Sequence, residues 1–232
     1  MNTNKIKFLI YKFPEMGILT GVIFSFLIFF LADNSMADTS TLVRMATQGT
    51  CIGFAAYGMS YLMITGEIDL SSGAVAGLAA TVSGMMLDAG YSEMISYTGA
   101  LSVAALVGLL NSFMTLVIGI PSFFGTLGTS FAASGLVIWL LKGKWIYTGD
   151  FIPFLDMIFS PSPFLEFPWI FLFYILLIFF GDLLVRTSKL GTILKATGGN
   201  ILSAKIAGIN TNYVKTMCFL FTSINFGFVF LR

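Results

Sequence analysis

The sequence predicts an all-α membrane protein, a single polytopic helical bundle over residues 1–232, on three observations. The first is composition: 57% of the 232 residues are hydrophobic and 10% charged, with a mean hydropathy of +0.92, whereas a soluble domain carries about a quarter charged residues. The second is that apolar runs of roughly the length needed to cross about 30 Å of hydrocarbon recur at 16–32, 46–65, 72–87, 95–120, 122–141, 168–184 and 216–231. The third is segregation of charge: Arg186 to Lys215 carries five basic residues and no acid. The 25 phenylalanines suit lipid-facing surfaces.

The first run follows Lys5, Lys7, Lys12 and Pro14 and has no A-x-A-like exit, so it reads as an uncleaved span and not a signal peptide. A polar stretch, Asp33 to Arg44, precedes the second run, where Gly49, Gly53, Ala56 and Ser60 fall at helical spacing and predict a small face for close helix approach. Then comes Gly66-Glu67-Ile68-Asp69-Leu70-Ser71-Ser72-Gly73, two carboxylates and two glycines between uncharged segments. Ionised groups at membrane depth cost several kcal/mol and face a bundle interior or water. This stretch therefore predicts a broken or re-entrant element, with Ser71 as N-cap of the short third run. The fourth run is interrupted by Asn111 alone and stops at Pro121. The fifth shows Gly125, Gly128, Thr129, Ala132 and Gly135 as a second small surface, with Trp139, Trp145 and Tyr147 as an interfacial belt. Residues 142–167 hold Pro153, Pro161, Pro163, Asp150, Asp156 and Glu166, with room for a surface helix over 151–159. In the sixth run Asp182 and Arg186 are spaced for an i,i+4 ion pair.

Cytoplasmic segments collect Lys and Arg. That places the amino terminus and residues 186–215 on one inner side, six crossings apart, with the acid-bearing 142–167 segment outside. Catalysis has no support. No histidine is present, Cys51 and Cys218 are isolated small hydrophobes, and no metal-spaced cluster or G-x-x-x-x-G-K-[ST] phosphate loop occurs. No cofactor is implied, and a net charge of +1 speaks against a nucleic-acid partner.

Three stretches carry a resemblance when taken together. They are Gly66 to Gly73; Gly108-Leu109-Leu110-Asn111 with Gly119-Ile120-Pro121-Ser122-Phe123 and Thr126-Leu127-Gly128-Thr129; and Ala196-Thr197-Gly198-Gly199-Asn200 with Ala204, Lys205 and Gly208-Ile209-Asn210. In that order and spacing, from about Leu42 onward, the chain resembles the permease subunits of bacterial ABC importers for simple sugars, the ribose/xylose group. The resemblance implies the fold of the vitamin B12 importer type, commonly with about ten helices per chain against the seven segments here. It also implies an inner-membrane assembly with a second permease chain, a cytoplasmic ATP-binding subunit that supplies hydrolysis, and an extracytoplasmic sugar-binding protein. The shortfall in segments leads us to expect a truncated gene, a split subunit or a partial chain.

By the same resemblance, residues 186–215 form the ATPase-coupling loop, with Gly198, Gly199, Asn200, Ala204, Lys205 and Gly208 as its working residues. Gly198-Gly199 would reverse the chain, Asn200 would cap, and Ile201 to Ala207 would form two helical turns closed at Gly208. Ile201, Ala204 and Gly208 would present the docking face. Where the family has acids after Gly-Gly-Asn, this chain has Ile201 and Leu202. Glu67, Asp69, Asn111 and Thr126 are candidate substrate-pathway residues. For Glu67 and Asp69, capping or ion-pair anchoring of the break is the preferred alternative, with loop residues in water near the cytoplasmic face as a third, and for Asn111 and Thr126 it is core hydrogen bonding. Two other functions stand beside the importer reading: an ion-coupled secondary transporter using Glu67 or Asp69, and a non-transporting remnant.

Overall fold

The structure is a computed structural model and describes residues 15–144, 146, 157–160, 162 and 167–229. Two compact units are distinguished, residues 1–46 and 47–232. In the first, helix α1 spans Glu15–Ala32 and a 3-10 turn spans Asn34–Ala37. The hydroxyls within α1 are absorbed by its own backbone, Thr20 Oγ1 donating to Met16 O at 2.7 Å and Ser25 Oγ to Gly21 O at 2.9 Å. This back-bonding lets polar residues sit in an apolar helix. Asp33 caps the turn by accepting from Ser35 N at 2.9 Å, which holds its carboxyl below the ordinary value.

Helix α2 runs Thr39–Ile64, α3 Ser72–Asp88, and α4 Glu93–Phe113, which continues as a π-helical turn over Met114–Ile118. They are followed by α5 Ser122–Leu141, α6 Trp169–Thr187, α7 Lys189–Gly199, α8 Ile201–Ile206 and α9 Thr211–Val229. Within the described residues, a helix overlaps each of the seven expected apolar segments. By length and composition alone, three of the described helices are apolar enough to cross a membrane: Glu93–Ile118, Ser122–Leu141 and Trp169–Thr187, with Met16–Ala32 a shorter apolar helix. The α2, α3 and α9 helices are diluted by Gly, Ser, Thr and Asn, the residues with which membrane helices pack closely.

Hydropathy marks lipid and not where the backbone ladder starts, so α2 and α9 begin a turn or more before their apolar runs. In α2, Asp38 O accepts from Thr41 N and Leu42 N at 2.9 and 3.0 Å. In α9, Asn210 Oδ1 accepts from Tyr213 N at 3.1 Å, starting the helix at Thr211 and placing Lys215 within it.

Helix α3 is central in the second unit and packs on α4, α5 and α9, with Val75, Ala76, Leu78, Ala79, Thr81, Ser83 and Gly84 buried. The α4–α9 contact is close because both helices offer small residues: a Cβ on Gly108 would lie 2.9 Å from Phe219 O, and one on Gly227 would lie 2.7 Å from Ala104 Cβ. Phe226 then seats against Val75 and Ala104, and Phe219 against Leu62, Tyr61 and Leu194.

The small stripes face differently from the expectation. The buried side of α2 is Thr50, Phe54, Gly58, Tyr61 and Leu62, and Ala56 and Ser60 are exposed. Thr222 Oγ1 donates to Gly58 O at 2.9 Å. On α5, Gly125 and Thr129 turn inward with Ser122, Thr126 and Ala133, while Gly128, Ala132 and Gly135 are exposed. The reason is that hydroxyl and aromatic groups with partners, not small volume alone, decide which face is buried. Gly53 does meet a neighbour, the phenol ring of Tyr174 on α6. Reciprocally, Gly181 on α6 is covered by the hydroxyl ends of Tyr57 and Tyr61 on α2. The Asp182–Arg186 pair forms at 2.7 Å with both side chains exposed. Of the expected surface helix, residues 157–159 are helical and 151–156 lie outside the described residues, as do Trp145 and Tyr147.

Candidate functional site

The α2 helix ends because its last turn is closed by its own groups. Thr65 Oγ1 donates to Leu62 O at 2.7 Å, Gly66 N to Met63 O at 3.0 Å and Glu67 N to Leu62 O at 3.3 Å. Gly66 takes φ +85°, a conformation that disfavours any residue with a Cβ. From there to Ser71 the backbone is non-helical, and Asp69 and Ser71 within it are buried, so its polar groups need partners outside a helical ladder.

Those partners come from α4, from α5 and from the break itself. Ile68 N donates to Ser122 Oγ at 3.3 Å and Leu70 N to Thr126 Oγ1 at 3.0 Å, both on α5. Asp69 Oδ1 accepts from Ser71 N at 2.8 Å and from Ser71 Oγ at 2.5 Å. Asp69 Oδ2 accepts from Asn111 Nδ2 of α4 at 3.1 Å, and the same amide donates to Ser71 Oγ at 3.0 Å. Asn111 Oδ1 in turn accepts from Thr129 Oγ1 at 2.5 Å. Asp69, Ser71, Asn111 and Thr126 are each 0% exposed. Glu67 turns the other way, and its Oε1 lies 2.5 Å from Lys215 Nζ on α9.

Of the four candidate pathway residues, the structure gathers Asp69, Asn111 and Thr126 around one buried network and places Glu67 in an ion pair beside it. Ser71 occupies the position before α3, but its side chain makes no cap bond to that helix. The expectation of a side-chain cap is corrected: the hydroxyl is taken by the Asp69 carboxylate, a stronger acceptor two residues back. Sequence reasoning missed Ser122, Thr129 and Lys215 as members of the site. Ser122, Thr126 and Thr129 share one face of α5 by their spacing, which was legible. Lys215 was hidden by counting it with the basic loop.

Thr126→Val is expected to destabilise the protein by about 1 kcal/mol, because the part-buried Leu70 N would lose its acceptor, while Thr126→Ser retains the bond. Thermal unfolding of both variants in detergent checks this.

The other side of the break meets residues 186–215. Gly198 and Gly199 do not reverse the chain, as expected from sequence, but are the last two residues of α7. Gly198 is small because α7 ends directly against the carbonyl of Ile64, where a Cβ would collide with backbone. Asn200 caps α8, its Oδ1 accepting from Ser203 N at 2.9 Å, and Gly208 closes the helix at φ +82°. The expected docking face is corrected in one respect. Ala204 is buried at 3% exposure, because α8 lies back on α7 and α9. The side chains that point away are Ile201, Leu202 and Ile206, the last two 69% and 81% exposed, with exposed Lys205 between them.

Residues 41–229, which include the break, its network and α7–α9, match the family described as branched-chain amino acid transport system / permease component. The chain belongs to this permease family. The permease is similar to the autoinducer 2 import system permease protein LsrC of Escherichia coli O9:H4 (strain HS), at 29% identity over 88% of this chain and 59% of the relative. LsrC of Salmonella typhi is 28% identical over 88% of this chain and 58% of its own length. LsrC of Yersinia enterocolitica is 29% identical over 87% and 55%. The permease thus spans under three fifths of the length of the curated relatives it matches. No solved structure matches it significantly. As a permease component with apolar helices of spanning length, it is a multi-pass membrane protein.

Proposed function

We propose that the permease forms the transmembrane path of an ATP-driven importer that carries a monosaccharide or similar small solute inward across the inner membrane. It has no ATPase site of its own and works with a second permease chain, a cytoplasmic ATP-binding subunit and an extracytoplasmic sugar-binding protein. Ribose- and xylose-like sugars are the solutes suggested by the sequence, and the import system named for the relatives adds autoinducer 2 to those to be tested. The amino terminus and residues 186–215 lie in the cytoplasm, as the positive-inside distribution requires.

The observation that carries this reading is α8. A two-turn helix that holds Leu202 and Ile206 out, with Ala204 turned in and a cap at each end, is a rigid apolar knob suited to a protein groove. It follows a span in a segment rich in cations, where a cytoplasmic subunit would meet it. In this reading Asp69, Asn111 and Thr126 hold the break together and do not touch solute, since the network leaves each carboxylate and amide group already bonded. A carrier driven by protons or sodium needs an acid open to its pathway, and here Glu67 is engaged by Lys215 and Asp69 by three donors.

The test is Leu202→Asp combined with Ile206→Asp. The expected result is loss of co-purifying ATP-binding subunit and at least about a tenfold fall in ATP-dependent uptake of labelled ribose, xylose or autoinducer 2, with unchanged permease in the membrane. Uptake that survives the double substitution, or that stops with an uncoupler and ignores loss of the ATP-binding subunit, overturns the proposal.

A further inference from the structure

Helix α8 is attached to the break at both of its flanks. On one flank Gly198, in the last turn of α7, lies against the carbonyl of Ile64, the last residue of α2. On the other, Lys215 in the second turn of α9 reaches Glu67 at 2.5 Å. These two contacts differ in kind. Backbone against backbone resists compression only, whereas an ion pair also resists separation. The pair is also sheltered, with side-chain exposures of 7% for Lys215 and 14% for Glu67. In that setting removal of one partner leaves the other charge uncompensated, so the pair holds its geometry firmly.

We infer that the Glu67–Lys215 pair is the strut that passes movement of α8 to the α2–α3 break, with Lys215 a positioning residue for coupling and not a contact to solute. This rests on the reading of α8 as the docking helix. Glu67 lies five residues before the start of α3, the helix on which α4, α5 and α9 all pack. The residue after Lys215 is tied inward as well: Thr216 Oγ1 lies 2.7 Å from Ser112 Oγ, next to Asn111 of the Asp69 network. A pull on α9 at Lys215 is therefore delivered to the break at Glu67, and the bonds from Ile68, Asp69 and Leu70 spread it to α4 and α5.

The test uses the permease assembled with its ATP-binding subunit in membranes. Amide exchange across residues 64–71 is followed before and after trapping with ATP and vanadate, alongside co-purification and hydrolysis. The expected result is a clear trapping-dependent change in the unsubstituted protein. That change falls by about threefold to tenfold in Lys215→Met although the subunit stays bound and active. Lys215→Arg retains it, and the charge-exchanged pair Glu67→Lys with Lys215→Glu recovers it. A purely structural role for the pair would lower assembly and hydrolysis together and would not single out the response of 64–71. An unchanged response in Lys215→Met, no recovery in the exchanged pair, or no response in the unsubstituted assembly while hydrolysis proceeds each overturns the strut and leaves the docking reading standing. Failure of the ATP-binding subunit to co-purify with the unsubstituted permease overturns both.

Discussion

Gly198→Ala is expected to destabilise the permease by about 2–3 kcal/mol, although it adds a single methyl group. The methyl would point into the Ile64 carbonyl and lie 3.2 Å from the carbonyl carbon of Thr65. These are backbone atoms of a helix end, so no rotamer change makes room; either α7 withdraws or α2 unwinds. The adjacent Gly199 is the control. A Cβ there meets nothing within 4 Å, and Ala at a helical position with no clash is neutral or gains about 0.5–1 kcal/mol. Thermal unfolding in detergent should therefore split the two neighbouring substitutions in opposite directions. Equal behaviour of Gly198→Ala and Gly199→Ala would show that α7 does not abut α2 as described.

Asn111→Leu should cost more, about 3–5 kcal/mol, in spite of its matching branched shape and greater hydrophobicity. The amide donates to Asp69 Oδ2 and Ser71 Oγ and accepts from Thr129 Oγ1. Replacing it strands a buried carboxylate oxygen at full desolvation cost. The effects of Asn111→Leu and Asp69→Leu should be strongly non-additive, the double variant costing less than the sum, because the second substitution removes the very charge that the first leaves unpaired. Additive losses from a double-mutant cycle in detergent would mean that the two side chains are not one network.

The parts of this architecture that were legible before the structure are those governed by one-dimensional signals. Apolar run length placed the helices, and Gly66, Asn200 and Gly208 marked a helix exit, a cap and a second exit through their backbone preferences. The Asp182–Arg186 spacing needed only the geometry of one helix. What the sequence left illegible required knowing which segments meet. Gly198 looks like a turn residue until Ile64 is found against it, and Lys215 looks like one more cytoplasmic cation until Glu67 is found at its end. The small stripe on α2 misled because close packing needs a complementary protrusion, and only Gly53 of that stripe has one. Ala204 was placed on the outer face because a lone short helix gives no sign of which side lies on the bundle.

The exchange between α2 and α6, in which Gly53 receives Tyr174 and Gly181 receives Tyr57, has a bearing on how these chains diverge. Each notch accepts a ring from the helix that carries the other notch, so the two helices are indexed in both height and rotation, as two gear teeth are. No single replacement at these four positions is neutral: a larger residue in a notch expels a ring, and a smaller ring leaves a void. Across related permeases, the glycine and tyrosine of each notch should change in concert, and a chain that fills one notch should carry a shortened side chain opposite it.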